Sequence, residues 1–234
     1  MNKNLIITQR HAPDRHGSPT DSLENAYVEC FSALGFTVFP IPTTIPHPDR
    51  FVSALDPVAI VLSGGGDVAP DLYGGQAVAG QSLSVDRDRL EFQLLDFAVR
   101  ERVPVLGICR GMQMINVYYG GSLDSTKLSA AHNAEDLLSP HQIMFEDSTL
   151  LENFPEGCQV NSYHCQSVPL NLLGQGLACF ACHGNLPLAE GIRHQKLPIA
   201  GIQWHPERSA ELTPLDRLLL GAFRDRRLFW EVSH

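Results

Sequence analysis

Gly107-Ile108-Cys109-Arg110-Gly111 has the spacing of a G-x-S-x-G nucleophile elbow, with cysteine in the serine position. The five residues follow an apolar run, Val103 to Ile108, and lead into a helical pattern, Met112 to Tyr119. A strand-to-helix turn this tight strains the backbone of its central residue, so small residues must flank it. The turn lifts the sulfur above the carboxyl edge of a sheet. It also sets it at a helix N-terminus, where the dipole favours thiolate over thiol. The backbone N–H of Arg110 then points toward a developing oxyanion. The same pattern suits a buried structural cysteine at a strand end, because free cysteines are among the most buried residues. Alone, the five letters leave the two readings level.

Two further segments bear on the choice. Ser63-Gly64-Gly65-Gly66-Asp67 follows the apolar run Ala59 to Leu62. Glycines there let the backbone turn freely and approach a ligand closely. In a parallel sheet this loop emerges on the same edge as Cys109, which makes the Gly65 N–H a candidate second oxyanion donor. Neither G-x-x-x-x-G-K nor G-x-G-x-x-G is present to make it a phosphate loop, and a glycine triplet by itself is more often a turn. Gly201-Ile202-Gln203-Trp204-His205-Pro206-Glu207 places a histidine at the carboxyl end of a strand, where open α/β proteins gather their sites. Glu207, two residues on, can hold the imidazole in one tautomer.

These residues need a sheet to bring them together, and the rest of the chain supplies the pattern for one. Short β-branched runs (Leu5 to Thr8, Phe36 to Ile41, Ala59 to Leu62, Val103 to Ile108) alternate with helical spacing over Asp21 to Leu34, Arg87 to Arg102 and Met112 to Tyr119. Gly35 stands where a helix C-cap belongs. This alternation predicts an α/β fold, a mostly parallel central sheet with helices on both faces. From Ile143 to Trp204 strand-like runs dominate: Ile143 to Phe145, Cys158 to Asn161, Leu177 to Cys182, Leu188 to Arg193 and Ile199 to Trp204. They predict an antiparallel extension of the sheet. A last helix is expected over roughly Pro214 to Phe229. No repeat or linker interrupts the pattern, so one domain over 1–234 is expected.

The bulk numbers exclude several classes. With 17 Lys and Arg against 26 Asp and Glu, the net charge of −9 argues against a nucleic-acid or anionic-membrane partner. The longest apolar run near the N-terminus, Leu5-Ile6-Ile7, is too short for a signal-peptide core, and no stretch approaches a membrane span, so the chain reads as cytoplasmic. The six cysteines fit free thiols in that compartment. Cys179-Phe180-Ala181-Cys182-His183 matches the C-x-x-C-H haem-attachment pattern, but in an extended strand the two thiols point to opposite faces. Neither metal nor cofactor enters this reading. His132 and His141 read as loop residues near the pocket. Arg224, Arg226 and Arg227, with Trp230-Glu231, read as a solvated helix end.

Taken in order, the motifs resemble the class I glutamine amidotransferase superfamily and, within it, the γ-glutamyl hydrolase branch. The segments that carry the resemblance are Ser63 to Val68 with Pro70 and Tyr73-Gly74, Asp86-Arg87-Asp88 through Glu91, Gly107 to Gln113 with Asn116-Val117 and Gly120-Gly121, Val160 to Gln166, and Gly201 to Glu207. The resemblance implies a flavodoxin-like sheet and a thioester mechanism. Cys109, His205 and Glu207 would form the triad, with the N–H groups of Gly65 and Arg110 as the oxyanion hole. Gln113, with the backbone of His164, Cys165 and Gln166, would bind the glutamyl amino and carboxylate groups. Cys165 departs from the pattern by placing a second thiol near the site. The Gly121 to His141 stretch is shorter than in typical members, and it would set leaving-group specificity.

The implied function is hydrolysis of a γ-glutamyl amide, because no synthase domain accompanies the motifs. Two substrates are compatible with it, γ-glutamyl-aminobutyrate and a γ-glutamylated nucleotide amidate such as γ-glutamyl-CDP-amidate. Thr8-Gln9-Arg10 and Trp204 to Arg208 lean toward the second. The alternative is a glutaminase subunit that passes ammonia to a separate synthase partner. A third class is a degenerate binding module, against which the intact Cys109, His205 and Glu207 argue. The sequence is silent on oligomeric state, and a homodimer is compatible with it.

Overall fold

A computed structural model describes residues 3–125 and 139–228 of the chain. Four short strands form its centre: β1 (Asn4–Thr8), β5 (Ala59–Leu62), β6 (Val105–Ile108) and β12 (Ile199–Ile202). The last three are buried at every residue. Such continuous apolar runs belong to strands covered on both faces. With β4 (Thr37–Ile41) they pair in parallel in the order β4-β1-β5-β6-β12. That is the 2-1-3-4-5 order of flavodoxin-like sheets. Pro40 in β4 costs no ladder bond to a further neighbour, because β4 lies at the edge.

Alternate residues of these strands feed two cores. Leu5, Ile7, Val61, Leu106, Ile108 and Ile202 pack with Phe31 of α1 (Asn25–Ala33) and Leu219 and Phe223 of α6 (Pro214–Arg224). Ile6, Ile60, Leu62, Val105 and Ile199 pack on the other face. Their neighbours there are Val52 of α2 (Pro48–Leu55), Leu90 and Leu94 of α3 (Val85–Glu101), and Met112 and Ile115 of α4 (Arg110–Tyr118). The period of two along each strand thus puts helices on both faces. Trp204 Nε1 donates to Asp216 Oδ1 at 2.9 Å, tying α6 to the chain just past β12.

Beyond β12 the sheet continues antiparallel through β11 (Leu188–His194), β10 (Leu177–His183), β7 (His141–Phe145) and β8 (Cys158–Val160). With β9 (Val168–Pro169) on β11 it has ten strands among the described residues. A short helix α5 (Ser148–Asn153) joins β7 to β8. Among the described residues no helix is long and apolar enough to cross a membrane.

The expected helix over Asp21 to Leu34 is corrected at its start. Asp21 and Ser22 belong to β3 (Pro19–Ser22), which pairs with β2 (Arg10–Pro13) in a hairpin, and α1 begins only at Asn25. Tertiary bonds override local preference here: Asp21 Oδ1 accepts from Thr43 Oγ1 at 2.6 Å, and Asp21 Oδ2 from the Thr43 N–H at 2.8 Å. Gly35 does close α1, at φ 88. The final helix ends at Arg224, short of the expected Phe229, where the exposed Arg224 pairs with Asp225 at 2.7 Å. His132, Phe229 and Trp230-Glu231 lie outside the described residues, as does most of the Gly121 to His141 stretch. Strand β10 is not a regular strand at its cysteines. Register shifts interrupt it there, Cys179 Sγ donates to Ala181 O at 3.0 Å, and Cys182 faces Glu146. Burial pushes the Cys179 thiol up to about 12, which suits packing better than ligation.

Packing at the elbow is tight enough to test. A Cβ on Gly111 would strike the Leu62 carbonyl of β5, whereas one on Gly221 in α6 would meet open space. Gly111→Ala is expected to lower stability by about 2 kcal/mol or more through overpacking. Gly221→Ala should hold or gain about 0.5–1 kcal/mol by helix propensity. Urea midpoints of the two variants decide the point; equal effects would contradict this packing.

Candidate active site

Cys109 occupies the turn between β6 and α4 at φ 54 and ψ −106, a conformation that non-glycine residues rarely adopt. The surroundings over-determine it. Its backbone N–H donates to Ile202 O of β12 at 2.8 Å, and its carbonyl accepts from the Gln113 N–H at 3.2 Å. Gly107 and Gly111 admit no Cβ without striking backbone, so the small residues read from the sequence are a steric requirement. Arg110 begins α4, where the first N–H groups of a helix have no partner within it.

His205 follows β12 and faces Cys109, whose side chain interacts with the imidazole. On its other side His205 Nδ1 bonds Glu207 Oε1 at 2.6 Å, both side chains being almost wholly buried. Burial opposes protonation of His205. The hydrogen bonds and charges of Cys109 and Glu207 outweigh it and lift the imidazole from 6.5 to about 9. The backbone of His205 is held as firmly as its ring. Asn161, just past β8, accepts from the His205 N–H at 2.8 Å and donates to the His205 carbonyl at 2.8 Å.

The glycine loop arrives on the same edge. Gly65 and Gly66 have φ of 85 and 75, so glycine is needed at both. The Gly64 N–H donates to Tyr27 Oη at 2.8 Å, and the Tyr27 hydroxyl lies within electrostatic reach of Glu207, so α1 brings the loop and the carboxylate behind His205 to one side chain. Burial, with Glu207 beside it, keeps that hydroxyl protonated well above its ordinary range.

Beneath the loop lies a buried ionic network. Arg87 donates to the carbonyls of Ser63 and Gly65 at 2.6 Å each and to Glu91 Oε1 at 2.8 Å. Thr8 Oγ1 reaches the same Glu91 oxygen at 2.8 Å. The Arg110 side chain pairs with Glu91 and Asp88. Glu91 is wholly buried; burial alone would neutralise it, but Arg110 and Arg87, with the Thr8 hydrogen bond, hold its carboxyl below the usual range.

A cavity of about 380 Å³ opens over this arrangement. Of the residues singled out from the sequence, Gly65, Cys109, Gln113, His164, Cys165, Gln166 and His205 line it, while Glu207 and the Arg110 side chain lie behind the wall. Gln113 is partly committed: its amide donates to Gln166 O at 2.9 Å and Gln203 Oε1 at 3.2 Å. The Gln166 side chain braces the loop instead of facing the cavity freely, accepting from the Val68 N–H at 2.9 Å and donating to Ser125 Oγ at 2.9 Å. His164 Nδ1 bonds Gln166 O at 2.9 Å, and burial pushes its imidazole below the ordinary range. Among the described residues the cysteines are unpaired, Cys165 included. Sequence reasoning missed Tyr27 and Tyr163 and gave no role to Asn161, Arg10 or Arg208. For Arg10 and Arg208 the signal was their place at the ends of strand-to-site segments; for Tyr27 there was none.

A buried thiol, an adjoining imidazole, a carboxylate hydrogen-bonded to that imidazole and a glycine loop form a set of the kind able to do acyl transfer. Two outcomes are expected. Glu91→Gln leaves two buried guanidinium groups short of a counter-charge and should cost about 3–5 kcal/mol in urea unfolding. For His205, the folded value lies above 6.5. Its contribution to stability is therefore complete below pH 6.5 and is lost as the pH rises through about 9. NMR titration should find that midpoint, and Cys109→Ala should move it down; an unmoved midpoint would separate the two side chains.

The chain is similar in sequence and fold to several known proteins. A glutamine amidotransferase-like protein of Lactococcus lactis is 35% identical over 208 residues, covering 85% of this chain and 86% of the relative. The γ-glutamyl-γ-aminobutyrate hydrolase of Escherichia coli is 27% identical over 228 residues, covering 88% and 87%. The crystal structure of a GMP synthase component from Thermoplasma acidophilum superposes with a TM-score of 0.67 at 18% identity, covering 97% of this chain and 95% of that one. A glutamine amidotransferase from Thermotoga maritima gives 0.59 at 16%, covering 98% and 90%. These two share the flavodoxin-like fold with it. Residues 5–207 match the Peptidase C26 family model, and the chain belongs to that family.

Proposed function

We propose that this chain, acting as one domain over 1–234, is a cysteine hydrolase of γ-glutamyl amides, converting γ-Glu-NH-R and water to glutamate and an amine. The observation that carries the proposal is the His205 imidazole held between Cys109 and Glu207 beside a strained elbow. Membership of the Peptidase C26 family and relatives described as γ-glutamyl hydrolases support the γ-glutamyl choice.

The reaction proceeds in two halves. The Cys109 thiolate attacks the γ-carbonyl, forming a C–S bond, and the oxyanion is received by the N–H groups of Gly65 and Arg110. Collapse breaks the C–N bond as His205 hands its proton to the leaving amine. Water then gives a proton to His205 and adds to the thioester. Glutamate leaves and the thiolate is restored, with Glu207 fixing the imidazole throughout. Gln113 and the backbone at His164, Cys165 and Gln166 hold the glutamyl group. Candidate substrates are γ-glutamyl-aminobutyrate and a γ-glutamyl nucleotide amidate.

Relatives described as glutamine amidotransferases favour a second reading, a glutaminase that feeds ammonia to a synthase. It predicts feeble activity of the isolated chain and stimulation by a partner. Purified protein assayed on a panel of γ-glutamyl amides and on glutamine separates the two. Hydroxylamine should trap γ-glutamyl hydroxamate during turnover. Cys109→Ala should lose at least about 10³-fold in kcat/KM, and robust hydrolysis by that variant would sink both readings.

A further inference from the structure

Two arginines, Arg10 and Arg208, line the cavity that holds Cys109 and His205, and the reaction as described uses neither. Arg10, at the start of the β2–β3 hairpin, lays its guanidinium on the glycine loop: its Nε and Nη2 fill the space a Cβ on Gly65 would need. Glycine at 65 therefore serves a second purpose beyond its φ of 85, because any side chain would evict the arginine. Arg208 stacks over the Tyr163 ring with its Cζ 4.7 Å from the centroid, and Tyr163 meets the His205 ring edge-on at 5.6 Å. A cation is thus seated beside the group that protonates the leaving amine.

The carboxylate at this mouth is unequally shared. Both arginines share one carboxylate, Glu24. Arg208 binds it through two nitrogens at 2.7 and 3.1 Å, while Arg10 reaches the same oxygen only at 3.6 Å. Arg208 Nε also lies 4.0 Å from Glu207, which His205 already occupies. The acidic residue lining the cavity, Asp67, is turned onto the Ser82 N–H at 2.8 Å. Arg10 is half-exposed, and apart from its 3.6 Å contact to Glu24 its guanidinium lies on the glycine loop at the cavity. Arg10 and Arg208 are the guanidinium groups among the residues lining the cavity, and in a chain of net charge −9 such a pair can steer and orient an anionic group.

From this we infer that Arg10 and Arg208 form a leaving-group subsite for an anionic amine, one whose tail bears a carboxylate or a phosphate. The inference rests on the hydrolase reading above. The glutamyl side of the substrate is assigned to Gln113 and the 164–166 backbone, deeper in the cavity, and the amine departs on the His205 side, where Tyr163 and Arg208 stand. A planar guanidinium suits both oxyanion types, bidentate to either.

The test compares three substrates with a common γ-glutamyl half. These are γ-glutamyl-aminobutyrate, the γ-glutamyl amide of O-phosphoethanolamine, and γ-glutamyl-butylamide, which is neutral. Wild type is expected to prefer at least one anionic amide over the neutral one by about tenfold or more in kcat/KM. The favoured anion tells carboxylate from phosphate. Arg10→Met and Arg208→Met should each shrink that preference roughly tenfold, chiefly through KM, and Arg208→Lys should recover part of it. Added salt should raise KM for the anionic amides selectively.

A wild-type preference near unity, with the neutral amide turned over, would overturn the subsite and leave the hydrolase reading standing. Equal losses on neutral and anionic amides in the variants would also overturn it, placing the arginines on the glutamyl carboxylate or in a merely structural role. Turnover of none of the three would remove both readings together.

Discussion

The glycine loop and the elbow helix at the carboxyl edge of the sheet are tied together by one buried carboxylate. Glu91 takes Arg87 on one oxygen and Arg110 on the other, and each arginine belongs to a different part of the site. Arg87 grips the carbonyls of the glycine loop, and Arg110 opens the helix behind the nucleophile. The spacing between the two oxyanion candidates is therefore fixed by a charge that cannot move and cannot be neutralised cheaply. Such a network adds little to net stability when complete, because desolvation offsets most of the attraction. What it provides is registry. Thr8, at the end of β1, completes the arrangement from a third strand.

A second constraint is the strain at Cys109. Its φ of 54 persists because β12 accepts its N–H and because glycines on either side let α4 descend onto β5 and β12. Strain of this kind survives only where surrounding packing over-determines it. The elbow, the glycine loop and the His205 turn all follow buried parallel strands, so the parallel part of the fold carries Cys109, Gly65 and His205. The hairpin and the 161–166 segment contribute Arg10 and Tyr163 to the lining of the same cavity.

The parallel half and the elbow were legible in the sequence because both rest on short-range signals. Four-residue apolar strands, glycine spacing and a cap at Gly35 are written locally. The antiparallel extension was legible as a run of strands, but its pairing order was not, since β7 lies beside β10 and not beside its chain neighbours alone. The β2–β3 hairpin escaped notice because Asp21 looks helical until Thr43, distant in sequence, claims its carboxylate. Tyr27 and Asn161 escaped for the same reason: an aromatic on a helix and an asparagine after a strand acquire roles only through partners more than thirty residues away. Long-range hydrogen bonds leave no periodicity to read.

Asn161 carries one more implication. Its amide grips the His205 peptide from both sides, yet it enters from β8, the outermost strand of the antiparallel half. His205 is thereby stapled across the seam between the two halves of the sheet, with Trp204 and Asp216 fastening the same stretch to α6. Fraying of the far edge would be transmitted to the imidazole without any disturbance of the parallel strands. The setting of the His205 imidazole is thus a property of the whole sheet's cooperativity, with the antiparallel half holding the residue's backbone in tension rather than merely covering it.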